Sequence, residues 1–320
     1  MDLTTKILLT AALALVCGLA CRGRTPGSRL DVGIIAPAFN WLPLKVAEAD
    51  GRLKEIPIAY QKFNSGWELG EALVAGKLDV AIIPFTYVAS AAAQGSEVRI
   101  IACLEHEDDG IIARQGITRL EDLAGRRIGC LKASTIELLL RQTLDGHGIN
   151  AEIVYFSSPM EMWSALEQGA VDALSYYVPG IIKAEGKIGH IIHWYSDEWA
   201  MHPCCDIAVH AGRIKTKRAA VQRLVQAIEA GTRAIAQDTA RACSIAVQVY
   251  GLSDSTARAS LRHTPFRVSL TEQEIAFELN TIALMKKLGY ISNKVLPSRL
   301  YLRGYASEEM TNDQVPMTNE

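Results

Sequence analysis

The stretch Ala72 to Thr86, ALVAGKLDVAIIPFT, appears in this 320-residue chain in two versions. Ala165 to Pro179, ALEQGAVDALSYYVP, repeats its grammar: an Ala-Leu helix end, a glycine, one residue, an aliphatic, an aspartate, an apolar run and a proline. The aspartates, Asp79 and Asp172, lie 93 residues apart. That is too long for a solenoid unit and fits a duplicated lobe.

The echo extends upstream of both copies. Before the first come an apolar strand (Leu30 to Ala36), a polar or aromatic loop (Pro37 to Asn40), a helix (Trp41 to Asp50) and a strand (Ile56 to Phe63). Before the second come strand Arg127 to Leu131, loop Lys132 to Ser134, helix Thr135 to Gly146 and strand Ala151 to Phe156. Alternation of strand and helix predicts an α/β protein of two lobes, each a mostly parallel sheet flanked by helices. Residues 30–112 and 208–304 are expected to form the first lobe and 113–207 the second, joined by two crossover segments. Open α/β sheets bind ligands outside the carboxyl ends of their strands, so the crevice between the lobes is the expected site.

Composition restricts the class further. With 49% hydrophobic and 21% charged residues and a formal net charge of −2, the chain has no basic stripe and predicts no nucleic-acid partner. The charge run Glu105 to Asp109 reads as a solvated loop. At the N-terminus, Lys6, the apolar run Ile7 to Leu15 and small residues before Cys21 predict a secretory signal over 1–20. Cys21 after Leu19-Ala20 resembles a bacterial lipoprotein cleavage box, which implies acylation there, with residues 21–29 as a tether and ordinary secretion as the alternative. Of seven cysteines, Cys103, Cys130 and Cys243 read as buried small hydrophobes. The polar ending, residues 305–320, reads as disordered.

Several loops could hold a ligand. Asn40 precedes a helix, where free N–H groups gather, although it could equally be only the cap. Lys132, Ser134 and Thr135 combine a lysine, two hydroxyls and a helix N-terminus, the strongest anion-binding set in the sequence, although Ser and Thr are also ordinary caps. Tyr176 and Tyr177 end the repeat strand, where side chains alternate, so one of the two must point elsewhere. Asp79 and Asp172 occupy equivalent places and read as strand-start caps. His202, Cys204 and Cys205 lie close in sequence, but neighbours in a strand point to opposite sides and no second cysteine pair supports them, so no metal or cofactor is expected.

Leu44 to Leu53 (LKVAEADGRL), Gly76 to Ala81 (GKLDVA), Leu120 to Gly129 (LEDLAGRRIG), Gly169 to Ala173 (GAVDA) and His202 to Cys205 (HPCC) together resemble the substrate-binding proteins of bacterial ABC importers. The branch is that serving nitrate, sulfonates such as taurine, and thiamine-pyrimidine precursors, with the type II periplasmic binding protein fold. The resemblance implies a non-enzymatic, periplasmic and lipid-anchored monomer that passes a small organic solute to a membrane permease and its ATPase. Carried onto this sequence, its ligand loops are Phe39, Asn40 and Trp41; Phe85 and Thr86; Lys132, Ser134 and Thr135; and Tyr176 and Tyr177. Aromatic residues in the first loop favour a sulfonate or heteroaromatic solute over a small ion. The alternative is a biosynthetic enzyme on the same fold, of the menaquinone or thiamine-pyrimidine pathways.

Overall fold

The computed structural model describes residues 29–36 and 38–306. The signal segment, Cys21 and residues 307–320 lie outside the described residues. Eleven strands form two separate sheets among the described residues. They are β1 (Leu30–Ile35), β2 (Ile58–Phe63), β3 (Val80–Pro84), β4 (Val98–His106), β5 (Asp109–Ala113), β6 (Arg127–Leu131), β7 (Glu152–Phe156), β8 (Ala173–Tyr177), β9 (His190–Trp194), β10 (Pro203–His210) and β11 (Phe266–Ser269). The first sheet runs β11-β4-β10-β3-β1-β2 and the second β7-β6-β8-β5-β9.

The duplication survives in three dimensions. β1 pairs in parallel with β2 and β3, and β6 in parallel with β7 and β8. Beyond the third strand of each unit an antiparallel strand is added, β10 against β3 and β5 against β8. The sheets are therefore mixed rather than mostly parallel. Repeat residues also match in detail: Asp79 accepts from the N–H of Asp31 at 2.9 Å, and Asp172 from the N–H of Arg127 at 3.0 Å, each fixing the start of its lobe's first strand. Gly33 and Gly129 are equivalent too. A Cβ would lie 2.4 Å from the Leu69 side chain at the first and 2.7 Å from the Leu174 side chain at the second, so a side chain at either would force its neighbours to shift.

The helices pack on the sheets through apolar faces. β3 is buried on both faces, Val80 to Ile83 each being 1% exposed or less, which its unbroken apolar run requires. Helices Gly66–Val74 and Pro159–Glu167 start in the same way, Ser65 accepting from the Glu68 N–H and Ser158 from the Glu161 N–H. Helix Arg218–Gln237 lies on Leu42–Ala49 so closely that a Cβ on Gly231 would meet the Pro43 carbonyl at 2.1 Å.

The chain crosses between sheets through Glu107-Asp108 and returns through residues 198–202. The boundaries expected at 112/113 and 207/208 instead fall inside β5 and β10. The charge run Glu105 to Asp109 is not the solvated loop its composition predicts: Glu105, His106, Asp108 and Asp109 are all 2% exposed or less, because the run passes between two packed lobes. Glu107, Asp108 and Met201 take left-handed backbone angles (φ 61°, 76° and 58°), uncommon for residues with a Cβ. The two crossovers are tied together, the Glu107 N–H donating to the His202 carbonyl at 2.9 Å and the Met201 N–H to the Glu107 carboxylate at 2.6 Å. Further from the crossovers, Tyr290, after the C-terminal helix Glu272–Lys287, donates to Glu137 of the second lobe at 2.5 Å. The expected tail also begins later than residue 305, since Tyr305 is buried against the first lobe with the Arg218 guanidinium 5.0 Å from its ring centre.

Candidate functional site

Between the lobes lies a narrow cleft, part of it open to solvent. Its first wall is the end of β1 and the loop after it, Ile35, Ala38 and Asn40, with Ser65, Gly66, Pro84 and Tyr87. Gly66 is required here because a Cβ would stand 2.3 Å from the Tyr87 ring. The facing wall is Leu131, Ser134, Thr135, Ile136, Pro159 and Tyr177. The crossover side supplies Glu105, Asp108, Cys204 and Cys205.

Of the residues expected at the site, Asn40, Ser134, Thr135 and Tyr177 line this cleft. Asn40 is fully buried, and neither its amide nitrogen nor its oxygen has a partner. It is not the helix cap, because the cap position is Trp41, which makes no side-chain cap bond. Ser134 is a cap, accepting from the Glu137 N–H and donating to the Leu131 carbonyl at 2.5 Å. The Thr135 hydroxyl, buried and unpartnered, faces the same space.

Phe39, Trp41, Phe85, Thr86, Lys132 and Tyr176 do not line it. Phe39 packs in the core against Tyr250, ring centres 5.1 Å apart. Trp41 donates from Nε1 to the Ile35 carbonyl at 3.1 Å and borders a wider outer groove. Phe85 and Thr86 are fully buried in the first lobe behind Tyr87. Lys132 is exposed, its Nζ 5.6 and 5.8 Å from the ring centres of Tyr155 and Tyr290. The helix N-terminus it was to share with an anion is already served by the protein's own carboxylate, since Glu137 accepts from the Ala133 N–H at 2.5 Å. Tyr176 stacks behind Tyr177 at 4.7 Å and against Trp163 at 4.4 Å and borders the outer groove with Trp41, so of the two tyrosines Tyr177 is the one that lines the cleft.

Among the cleft residues that the sequence did not single out as ligand contacts are Tyr87, Glu105, Asp108, Cys204 and Cys205. The cysteines are adjacent, yet their sulfurs lie 3.8 Å apart and both face the cleft, because the register of β10 against β4 breaks on either side of Cys205. Alternation therefore fails at that bulge. A signal for the acids was available, an acidic run placed between the apolar stretches Ile100 to Leu104 and Ile111 to Ala113. Burial pushes the Glu105 carboxyl well above its ordinary pKa, with the Cys205 thiol adding to it. Burial again, then the charges of Glu105 and Asp109, push Asp108 up. Hydrogen bonding to Cys205 and burial raise the Cys204 thiol, so it stays protonated. Behind them Asp109 meets His202 at 2.8 Å, both fully buried; burial opposes charge on the imidazole, but Asp109 outweighs it and the His202 pKa rises.

Glu105, Cys204 and Cys205 lie close enough to share an ion, as do Asp108, Asp109 and Cys204, and, deeper in the first lobe, Cys103, Asp206 and Glu278. A metal bound there would displace the thiol protons, so its uptake would depend on pH.

Two α/β lobes with separate sheets, two crossovers and a cleft lined from both sides define a solute-binding fold of the periplasmic type. Residues 41–242 match the family described as NMT1/THI5 like, and the chain belongs to that family. It is 28% identical over 156 residues to the taurine-binding periplasmic protein of Escherichia coli K12, covering 46% of this chain and 48% of that protein, so the match spans about half the length of that relative. The alkanesulfonate-binding protein SsuA from Xanthomonas axonopodis pv. citri, in a structure bound to MOPS, superposes with a TM-score of 0.77 at 20% identity over 88% of this chain and all of that one. The periplasmic aliphatic sulphonate binding protein SsuA from Escherichia coli gives 0.73 at 17% identity, over 87% and 98%. Among the described residues no helix is long and apolar enough to cross a membrane.

Proposed function

We propose that this protein is the solute-capturing component of an ABC importer, closing two lobes on a small organic molecule and passing it to a permease and its ATPase. The observation that carries this reading is that Asn40 of the first lobe and Thr135 of the second, whose buried side-chain polar atoms have no partner, line one cleft. Buried polar groups without partners are costly, and a ligand that supplies the missing hydrogen bonds recovers that cost as binding energy. Tyr177 and Tyr87 offer a heteroaromatic solute a flat surface on either wall. The protein does no chemistry on the solute; its one raised cleft thiol, Cys204, is not poised as a nucleophile. It works as a monomer outside the cytoplasm, exported by the segment before Cys21 and held at the membrane by acylation of that residue; its relatives' names support the compartment.

Native purification followed by mass spectrometry of the released small molecule tests the reading, with Asn40→Ala as the control. The wild type should carry a solute whose removal lowers Tm, and Asn40→Ala should bind it at least tenfold more weakly while folding as well as before. Absence of any bound or stabilising solute, or equal binding by the variant, would overturn it.

A further inference from the structure

We propose that the solute presents a basic nitrogen group, an amine or amidine, to a carboxylate pair formed by Glu105 and Asp108 on the crossover side of the cleft. This rests on the cleft being a solute site, as argued above. Glu105 and Asp108 are 1% and 2% exposed, both line the cleft, and Glu105 Oε1 and Asp108 Oδ1 have no hydrogen-bond partner. Among the described residues lining the space there is no lysine, arginine or histidine. The nearest positive candidate, His202, is spent on Asp109, and Lys132 lies outside.

Desolvated carboxylates have two ways to lower their energy: hold protons, or meet a cation. Unoccupied, the pair takes the first course, as burial keeps both acids up. A protonated nitrogen in the cleft provides the second and supplies N–H donors to the oxygens left open. An inorganic cation fits less well, because the walls carry Ile35, Leu131, Ile136 and two tyrosines. The helix N-terminus that could have received an anion already holds Glu137.

The placement of Asp108 gives the contact a second effect. It sits on the crossover in a left-handed conformation, and its carbonyl accepts from the Val178 N–H of the second lobe at 2.8 Å. A solute group held by this side chain therefore touches the segment about which the lobes move relative to each other.

The groups facing the pair are Glu107 and Asp109 along the chain, Cys204 and Cys205 from β10, Tyr177 from β8 and Tyr250 from the helix Thr239–Tyr250. None of them is cationic, so the charge partner must come from the ligand.

The test uses calorimetric titration of the full mature protein with matched compounds: taurine against ethanesulfonate, and 4-amino-2-methylpyrimidine against 2-methylpyrimidine. Mass spectrometry of the co-purifying molecule runs beside it. The nitrogen-bearing member of the pair that binds should bind at least tenfold more tightly. Glu105→Gln and Asp108→Asn should each shrink that preference, with the Tm of the unliganded variants showing that each still folds. Asn tolerates the left-handed backbone at 108, so the fold is kept. Equal binding of both members, an unchanged preference in both variants, a co-purified anion without basic nitrogen, or stabilisation by Zn²⁺ alone would each overturn the inference while leaving solute capture standing. No bound molecule of any kind would instead sink the solute-binding reading, and this inference with it.

Discussion

Replacing Asp79 and Asp172 separately by alanine compares one sequence position in two surroundings. Asp79 is fully buried and accepts from the Asp31 N–H at 2.9 Å, Arg213 Nε at 2.9 Å and Lys217 Nζ at 2.7 Å. Breaking a buried charge pair from one side costs about 3–5 kcal/mol. The value here should sit near the lower end, about 3 kcal/mol, because the cations keep other partners. Arg213 also donates to Asp31 at 3.1 Å, and Lys217 to the Arg29 carbonyl at 2.9 Å. Asp172 holds only the Arg127 N–H, at 3.0 Å, and a half-exposed Arg127 guanidinium 3.9 Å away, so its loss should cost about 1 kcal/mol. Urea unfolding followed by circular dichroism should show the first midpoint drop well below the second, at similar slopes. The pH dependence adds a check. Burial pushes the Asp79 pKa up, but the Asp31 N–H, Lys217 and Arg213 outweigh it and hold it below the usual carboxylate range. Its stabilisation is therefore complete above the unfolded-state pKa and is lost as pH falls through the lower folded value, so the gap between wild type and Asp79→Ala should close in acid. Equal costs at the two positions, or a gap that persists at low pH, would refute the assignment of Asp79 as the charged hub of the first lobe.

Three further outcomes can be checked in the same assays. Burial pushes the Glu278 carboxyl up to about 7, so the folded state holds its proton longer than the unfolded one; stability should fall as pH rises from the ordinary carboxylate range to about 7, and Glu278→Gln should flatten that fall. Gly231→Ala places a methyl 2.1 Å from the Pro43 carbonyl and should cost about 1–3 kcal/mol, read as a lowered Tm; an unchanged Tm would mean the two helices part easily. Tyr290→Phe removes the 2.5 Å bond to Glu137 that joins the lobes, and with about 0.5–1.5 kcal/mol at stake the solute affinity should weaken by roughly threefold to tenfold. An unchanged affinity would show that this bond does not favour closure.

The repeat was readable because each copy carries its own local signals. Ser65 and Ser158 cap equivalent helices, Gly33 and Gly129 admit close packing, and Asp79 and Asp172 tie down equivalent strand starts, all within short stretches of chain. Hydrophobic pattern and capping chemistry act over a few residues, so they are written in order along the sequence. The cleft is different. Asn40, Ser134, Thr135 and Tyr177 could be named from the ends of predicted strands, but Phe85 and Lys132 occupy the same kind of position and point elsewhere. Which side chain turns inward depends on rotation at a loop, and that is set by distant packing partners.

By itself, the sequence determined that this chain is duplicated, α/β and two-lobed, because periodicity and caps are local properties. Only the tertiary structure decided that Glu105 and Asp108 are buried in the cleft and that Cys204 and Cys205 both face it. Solvation of an acid depends on what stands around it, and here the surroundings are two lobes brought together from residues far apart in the chain.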